Sequence, residues 1–355
     1  MMSVYLVSLV STILWSMVVT HTTTERFHQF VIERKIKVLD GETTIVNIVN
    51  DMTTPPSIHV RVGDVLSVNV TNLLPDHGMS IHWHGFEMKG QNVYDGVVGV
   101  TQCAIAPGES FLYTFVVDEV PGTYWWHTHS GEDPVAHDLV RGPLIVHPKN
   151  TDNQHDIPDG YSYGHERILF LQDVPVHDPG VAWARHMGGL DGQPSRDEEG
   201  NVVGISPWRG GYINGHGLAS MAFIDVHAGE TYKFRLINGG STYPYNFGID
   251  GMKLIVVGTD GSPCLPFETD QIYIHTAERF DFLLHVPDTM EDVFVWIRAE
   301  TSESRYQGFT NAITGILHVK PKKSSNATLP TTFVPTTKPV SHPFILNCHA
   351  CSNRF

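Results

Sequence analysis

The chain has few basic residues, few cysteines and only one long apolar run. Its 23 Lys and Arg residues stand against 38 Asp and Glu, which gives a formal net charge of −15 over 355 residues. An acidic surface is attracted neither to nucleic acid nor to an anionic membrane, so the composition argues against both as partners. Amphipathic helical stripes are also scarce, which argues against a helical domain.

The long apolar run covers residues 4–19 and is followed by the first positive charge at Arg26. It has the length of a signal-peptide core and is short for a membrane span of about 20 residues. We therefore expect residues 1–24 to be a secretory signal peptide, with an uncleaved membrane anchor as the alternative. Sequons at Asn69 and Asn326 and the four cysteines are compatible with a secreted, extracellular glycoprotein.

Short runs of β-branched and aromatic residues, separated by Gly and Pro turns, recur along two regions of the chain. This pattern predicts an all-β fold with two strand-rich domains in tandem, each a β-sandwich or a barrel, at residues 27–150 and 163–320. The segment VRVGDVLSVNVTNL in the first region parallels IDVHAGETYKFRLING in the second, which favours a duplication. Residues 321–355 begin with a Pro/Thr/Ser-rich linker and are expected to form a disordered tail.

Two His-x-His pairs, His82-Trp83-His84 and His127-Thr128-His129, lie in strand-like segments of the first region. Residues i and i+2 of a strand point to the same face, so each pair projects both imidazoles together. Four imidazoles from two strands suit copper or zinc, and the Irving–Williams order favours copper. The alternative, histidines bonded only to backbone, leaves the shared spacing unexplained.

The flanks of these pairs resemble the first domain of multicopper oxidases, and of laccases in particular. The matching segments are HWHG, YDGVVGVTQCAIAPGESFLYTF and GTYWWHTHSG, while PWRGGYINGHG, YKFRLING and TAERFDFLLHV resemble the second domain of that family. The likeness is closest to animal laccases and runs from about residue 33 to 320. It implies that both domains are cupredoxin-like Greek-key β-sandwiches, with 321–355 a linker and the shortened start of a third domain.

The resemblance also implies a function. Laccases oxidise phenols, aromatic amines or metal ions and reduce dioxygen to water at a trinuclear copper cluster. By position, His82 resembles a type 2 copper ligand, while His84, His127 and His129 resemble type 3 ligands. Asp95 matches an acidic residue near the type 2 copper that serves as a general acid, although it also reads as a turn aspartate before Gly96.

The third-domain motifs of the family, His-x-x-His-x-His and His-Cys-His, do not occur in this sequence. HPFILNCH (342–349) imitates the first but has Ile345 and Asn347 where ligands belong. We therefore expect a chain that carries half of the copper site and is inactive alone. The alternatives are a secreted copper-binding isoform, a site completed by oligomerisation, and self-association or a partner through the face that a third domain would cover. A short metal cluster of Cys348, His349 and Cys351 is a further reading.

Overall fold

The computed structural model describes residues 24–129, 137–149, 156–175, 208–241, 243–290, 292–301 and 312–322. β-Strands joined by turns and loops make up most of these residues, with two short 3₁₀ turns at Asn92–Tyr94 and Leu218–Ser220 and no α-helix in the described ranges. The all-β class is thereby confirmed. The signal peptide and most of the C-terminal tail lie outside the described residues, as do the three residues of the Cys348 cluster. Within the described part, no helix has the length and apolarity needed to cross a membrane.

The first nine strands form two sheets, which together we call the N-terminal sandwich. One sheet has the strand order β6-β4-β1-β2-β8, and the other has the order β3-β9-β7-β5. In chain order the strands are β1 (Glu25–Leu39), β2 (Glu42–Val49), β3 (Ile58–Arg61), β4 (Val65–Asn72), β5 (Ile81–His84), β6 (Ser110–Val116), β7 (Gly122–Thr128), β8 (His137–Asp138) and β9 (Arg141–His147).

Alternation of side chains divides each strand of the second sheet between two faces. On β5, Ile81 and Trp83 are fully buried in the core of the sandwich, whereas the two histidines of the strand point the other way. On β7, Trp126 fills the same core. Because these side chains are large and apolar, their burial fixes the register of the strands, and the opposite face is left to carry the imidazoles.

The remaining strands form the C-terminal sandwich, again of two sheets. Their orders are β11-β10-β13-β18-β15-β16 and β12-β20-β19-β14-β17. The strands are β10 (His165–Pro175), β11 (Trp208–Ile213), β12 (Ala222–His227), β13 (Thr231–Asn238), β14 (Tyr245–Ile249), β15 (Leu254–Thr259), β16 (Ser262–Thr269), β17 (Gln271–Ile274), β18 (Arg279–His285), β19 (Val293–Glu300) and β20 (Ala312–Lys320).

The two sandwiches pack closely along the histidine-bearing face of the β3-β9-β7-β5 sheet. A Cβ atom on Gly122 would lie 2.2 Å from the carbonyl oxygen of Gly261, so only glycine permits this approach. Trp125 packs with Phe170 and Ile237 of the C-terminal sandwich, and all three are buried. This interface positions the C-terminal sandwich against the histidine pairs.

A cluster of buried charges lies beside that contact. Lys233 and Arg235 are fully buried, and both form ion pairs with Asp156 and Asp281. Arg235 also donates to the hydroxyl of Thr123, which in turn donates to Asp281. Buried charges require partners of this kind, because an unpaired charge in the interior is strongly unfavourable.

Candidate metal centre

The four histidines of the two sequence pairs come together at one end of the β5–β7 ladder. His82 lies directly opposite His127 in the antiparallel pairing of these strands. The imidazole centroids of His82 lie 5.7, 5.4 and 5.4 Å from those of His84, His127 and His129. Those of His84 and His129 lie 5.7 and 6.0 Å from that of His127. The i, i+2 argument therefore predicted correctly that the rings share one face.

Three of the rings present their nitrogen atoms to a common space. One ring nitrogen from each of His82, His84 and His127 lies within 4.8 Å of the others. His129 follows the end of β7 and is more exposed, and its backbone N–H donates to the carbonyl of Ser80. The four histidines thus comprise a half-buried trio (His82, His84 and His127) and a fourth ring, His129, on the solvent side.

Backbone carbonyls hold two of the rings in one tautomer. The Nδ1 atom of His82 lies 2.7 Å from the carbonyl oxygen of Asp95, and that of His127 lies 2.7 Å from the carbonyl oxygen of Thr128. A carbonyl only accepts, so in each neutral ring Nδ1 carries the proton and Nε2 keeps its lone pair. Hydrogen bonding of this kind orients metal-binding histidines.

The rings of His84 and His127 are neutral at physiological pH. Burial lowers the pKa of His84 to about 4, with a smaller contribution from the positive charge of Arg279. Burial likewise lowers the pKa of His127 to about 3, against the hydrogen bond to Thr128, which favours the charged form. Neutral imidazole is the form that binds a metal, so these two rings need no deprotonation before binding.

Tryptophan side chains divide between the core and the site. Trp83 and Trp126 are fully buried in the core, as expected from their positions on the strands. Trp125 instead stacks on His127 at a centroid distance of 4.3 Å, and its centroid lies 5.0 Å from that of His84. The indole thus forms one wall of the site and excludes water from two of the rings.

Asp95 lies next to the first histidine of the trio. It ends the short turn at Asn92–Tyr94, and its Oδ1 atom is 3.3 Å from Nδ1 of His82. Asp95 thus lies at the end of a turn and also contacts a histidine of the trio. The next residue, Gly96, has a φ of +84°, and a Cβ there would lie 1.8 Å from the carbonyl oxygen of Ile81.

Asp138 supports the second histidine pair, although nothing in its local sequence identifies it. Its carboxylate accepts hydrogen bonds from the hydroxyl of Thr128, between the two histidines, and from the backbone N–H of Val140. Ser80 acts similarly for His129, because its hydroxyl donates to the carbonyl of His129 as well as to that of Gly96. The turn-like sequence around Asp138 gave no signal that it would reach this strand.

Two arginines flank the site at the interface between the sandwiches. Arg279, from β18, donates to the carbonyl of Thr123 and forms an ion pair with Asp260. Its guanidinium lies where a Cβ of Gly85, the residue after His84, would be. Arg141, which pairs with His127 in the sheet, donates across the interface to the carbonyl of Gly239. Neither was identified from sequence, because these contacts join residues far apart in the chain.

The donor set fits copper. It consists of three half-buried imidazoles beside an aromatic wall, and carbonyls hold two of them in the tautomer that leaves Nε2 free. Imidazole ligands suit Cu and Zn, and among divalent first-row ions copper binds such a site most tightly. No carboxylate joins the trio of ligand atoms in the described residues, which argues against Mg²⁺ or Ca²⁺.

Comparison with known families supports this conclusion. Two family models, both described as multicopper oxidase, match residues 31–151 and 194–322. The chain belongs to the multicopper oxidase family. The first match contains all four histidines and Asp95, and the family is copper-dependent.

The curated relatives are laccases. Laccase-1 of Cryptococcus neoformans var. grubii is 32% identical over 292 residues, which cover 80% of this chain and 45% of that protein. The chain therefore spans about half the length of the curated relatives it matches. Such relatives are fungal, and the expected likeness to animal laccases stays a prediction.

Solved structures of multicopper oxidases share the fold. Fet3p, a multicopper oxidase that functions in iron import, is 25% identical with a TM-score of 0.71, covering 88% of this chain and 55% of that one. The blue copper oxidase of Nitrosomonas europaea is 26% identical with a TM-score of 0.66, covering 88% of this chain and 92% of that one. The cupredoxin-like character of the two sandwiches is thereby confirmed.

Proposed function

We propose that this chain carries one half of the trinuclear copper site of a laccase-type oxidase. The observation that supports the proposal is the convergence of the ring nitrogens of His82, His84 and His127 within 4.8 Å, with His129 beside them. In this assignment His82 binds the type 2 copper, and His84, His127 and His129 bind the type 3 pair. The two domains responsible correspond to residues 27–150 and 163–320.

The protein's own groups have defined tasks in this centre. The carbonyls of Asp95 and Thr128 keep the Nε2 lone pairs of His82 and His127 available for metal. Trp125 and the interface with the C-terminal sandwich exclude water from the inner rings. Copper, when bound, supplies one-electron redox chemistry and the binding of dioxygen.

Asp95 is proposed as the group that holds and delivers a proton at the site. Its carboxylate is partly exposed and lies 3.3 Å from Nδ1 of His82, so it can exchange protons with solvent and still lie beside the centre. The shorter contact to this ring is made by the backbone carbonyl at 2.7 Å. The carboxylate is therefore not needed to orient His82, which leaves it free for proton transfer.

These residues supply at most four of the roughly eight imidazoles that a trinuclear site requires, and they include no His-Cys-His segment for a type 1 copper. We propose that the 355-residue chain alone does not turn over, and that the other ligands come from outside these residues. Val93 and Val100 support a docking face next to Asp95, because they are 58% and 81% exposed on the segment that carries it. A second copy or another chain is the proposed partner at this face.

The substrates follow from the family. Dioxygen and a small reducing substrate, such as a phenol, an aromatic amine or a metal ion, are the proposed reactants of the completed enzyme. We propose an extracellular location, in line with the apolar run at residues 4–19. The second candidate function, a secreted copper-binding protein without turnover, rests on the same half-site together with the absence of His-Cys-His from these residues.

The test is copper retention by the purified chain after loading and dialysis. The chain is expected to keep copper, the paired variant His82→Ala/His127→Ala to lose it, and the control His285→Ala, at an exposed strand position, to match the wild type. No retention by the wild type would contradict the half-site. Copper retained without phenol-dependent oxygen uptake supports the half-site, whereas an intense blue, active chain would contradict the proposed inactivity.

A further inference from the structure

A second pair of histidines lies on the same sheet face as the copper half-site, at its opposite corner. His59 is on β3 and His147 is the last residue of β9. Thr123 on β7 pairs with Ile145 on β9, which pairs with His59 on β3, so the side chains of these three residues lie on one face of the sheet. His147 lies on this face because it is two residues after Ile145, and Trp125 and His127 lie on it because they are two and four residues after Thr123. The face thus carries imidazoles at two separate places.

The two imidazoles of this second pair approach each other directly. The Nδ1 atom of His59 lies 3.0 Å from Nε2 of His147, and the ring planes are inclined by 14° with centroids 5.3 Å apart. In the metal-free protein this contact is a hydrogen bond, since one neutral ring donates and the other accepts. Two nitrogens bound to one ion at about 2.0–2.1 Å would lie about 2.9–3.4 Å apart, depending on the bond angle. The observed separation falls in that interval.

We propose that His59 and His147 chelate a divalent transition-metal ion of the copper and zinc class, at a site distinct from the copper half-site. His59 is exposed, so its ring can turn to aim its lone pair at an ion shared with His147, and water can complete the coordination. The mechanism needs only that both rings be neutral. Partial desolvation against the neighbouring sandwich lowers the pKa of both rings, that of His147 to about 4, so neither proton competes with a metal at neutral pH.

The charges around the pair are compatible with a cation. The negative charge of Glu166 acts on both histidines, and the positive charge of Arg235 opposes it. Arg235 is neutralised by its ion pairs with Glu166, Asp156 and Asp281. The guanidinium of Arg61, on the same strand as His59, is directed to the carbonyl of Pro148. The pair therefore adjoins a cluster of three acidic and two basic side chains, which has no excess positive charge to repel a cation.

Binding here would have a structural consequence. His147 is the last residue of β9, and the chain leaves the N-terminal sandwich directly after it. An ion shared with His59 would tie the end of this strand to β3 and stabilise the folded state, increasingly so as the free-ion concentration rises above the dissociation constant. The proposal does not depend on the copper half-site, because the two sites share no residue.

The experiment uses the full chain with the half-site removed by His82→Ala and His127→Ala. After equilibrium dialysis against Zn²⁺ or Cu²⁺, metal analysis is expected to find a single retained ion per chain. Adding His59→Ala or His147→Ala should abolish it and also abolish the rise in melting temperature that the metal produces. The matched control, His285→Ala, removes an exposed strand histidine and should retain the ion.

The proposal is overturned if the half-site variant retains no ion, or if its ion survives both His59→Ala and His147→Ala. Circular dichroism establishes that each variant is folded. Should His147→Ala fail to fold, ¹⁵N-histidine NMR of the half-site variant gives an independent answer. Zn²⁺ is expected to shift the Nδ1 signal of His59 and the Nε2 signal of His147, and unchanged signals would contradict the proposed metal site.

Discussion

The indole of Trp125 lies nearly parallel to the imidazole of His127, with centroids 4.3 Å apart and planes inclined by 26°. The same indole packs with Phe170 and Ile237 of the C-terminal sandwich. One side chain therefore contacts a ligand of the proposed copper centre and the neighbouring sandwich at once. Changes at the interface are transmitted to the site through this contact.

Replacing Trp125 should weaken both its stack on His127 and its packing against the C-terminal sandwich. We expect Trp125→Ala to cost about 3–5 kcal/mol of stability, as for other buried tryptophans. Copper dissociation should also become easier, because His127 and His84 lose their wall and gain water. Trp125→Phe keeps an aromatic face and should retain most of the copper. Chemical denaturation and copper dialysis measure the two effects, and equal copper retention by the alanine and phenylalanine variants would contradict the role of the stack.

The hydrogen bond between Thr128 and Asp138 should contribute to copper affinity. Loss of a group that orients a metal ligand commonly costs about 10–100-fold in affinity, so Asp138→Ala and Thr128→Val are each expected to weaken copper binding by about tenfold or more. Because the two residues share one hydrogen bond, the double variant should be little worse than either single one. Competition with a copper chelator measures the affinities, and fully additive losses would show that the residues act independently.

Gly96 and Gly99 offer a matched pair with similar backbone angles. Their φ values are +84° and +78°, but a Cβ on Gly96 would collide with the carbonyl of Ile81, whereas Gly99 has open space. Gly99→Ala should cost only the backbone strain of about 1–2 kcal/mol. Gly96→Ala should cost clearly more and lower copper retention, because the clash displaces β5 beside His82. Denaturation midpoints test this order, and equal losses would remove the steric argument.

Stability should fall in acid because of the buried charge cluster. Burial alone would raise the pKa of Asp156, but its ion pairs and hydrogen bonds with Lys233 and Arg235 outweigh burial and lower it. A carboxyl with a lowered pKa in the folded state stabilises the protein above its unfolded pKa of about 3.9, and this contribution is lost as pH falls through the folded value.

The corresponding variant is Asp156→Asn. Removing one partner of a buried ion pair should cost about 3–5 kcal/mol at neutral pH and flatten the loss of stability below about pH 4. Asp51→Asn is the control, because its ion pair with Lys37 is at the surface. Unfolding free energies measured from pH 3 to 7 test the prediction, and parallel profiles for the wild type and Asp156→Asn would contradict it.

The sequence predicted the parts of the site that follow from strand periodicity. The spacing of His82 and His84, and of His127 and His129, fixes the face on which each pair lies, and the structure confirms that shared face. The likeness to laccases, stated from the motifs, is borne out by the family matches.

The residues that complete the site depend on packing between distant segments. Arg279 reaches Thr123 across 156 positions, and Arg141 reaches Gly239 across 98. No local pattern encodes such contacts, because they arise only when two sandwiches dock. Asp138 was missed for a related reason. Its neighbours in sequence look like an ordinary turn, and its contact with Thr128 depends on where β7 ends.

The closeness of Gly122 to Gly261 has a consequence for the order of events during synthesis. All four histidines have left the ribosome long before the C-terminal sandwich has been made. Until that sandwich docks, the imidazoles are exposed to solvent and to dissolved metal ions. Under the proposed assignment, a metal bound at that stage would be exposed to solvent, and Trp125 would exclude water from it only after the C-terminal sandwich has docked.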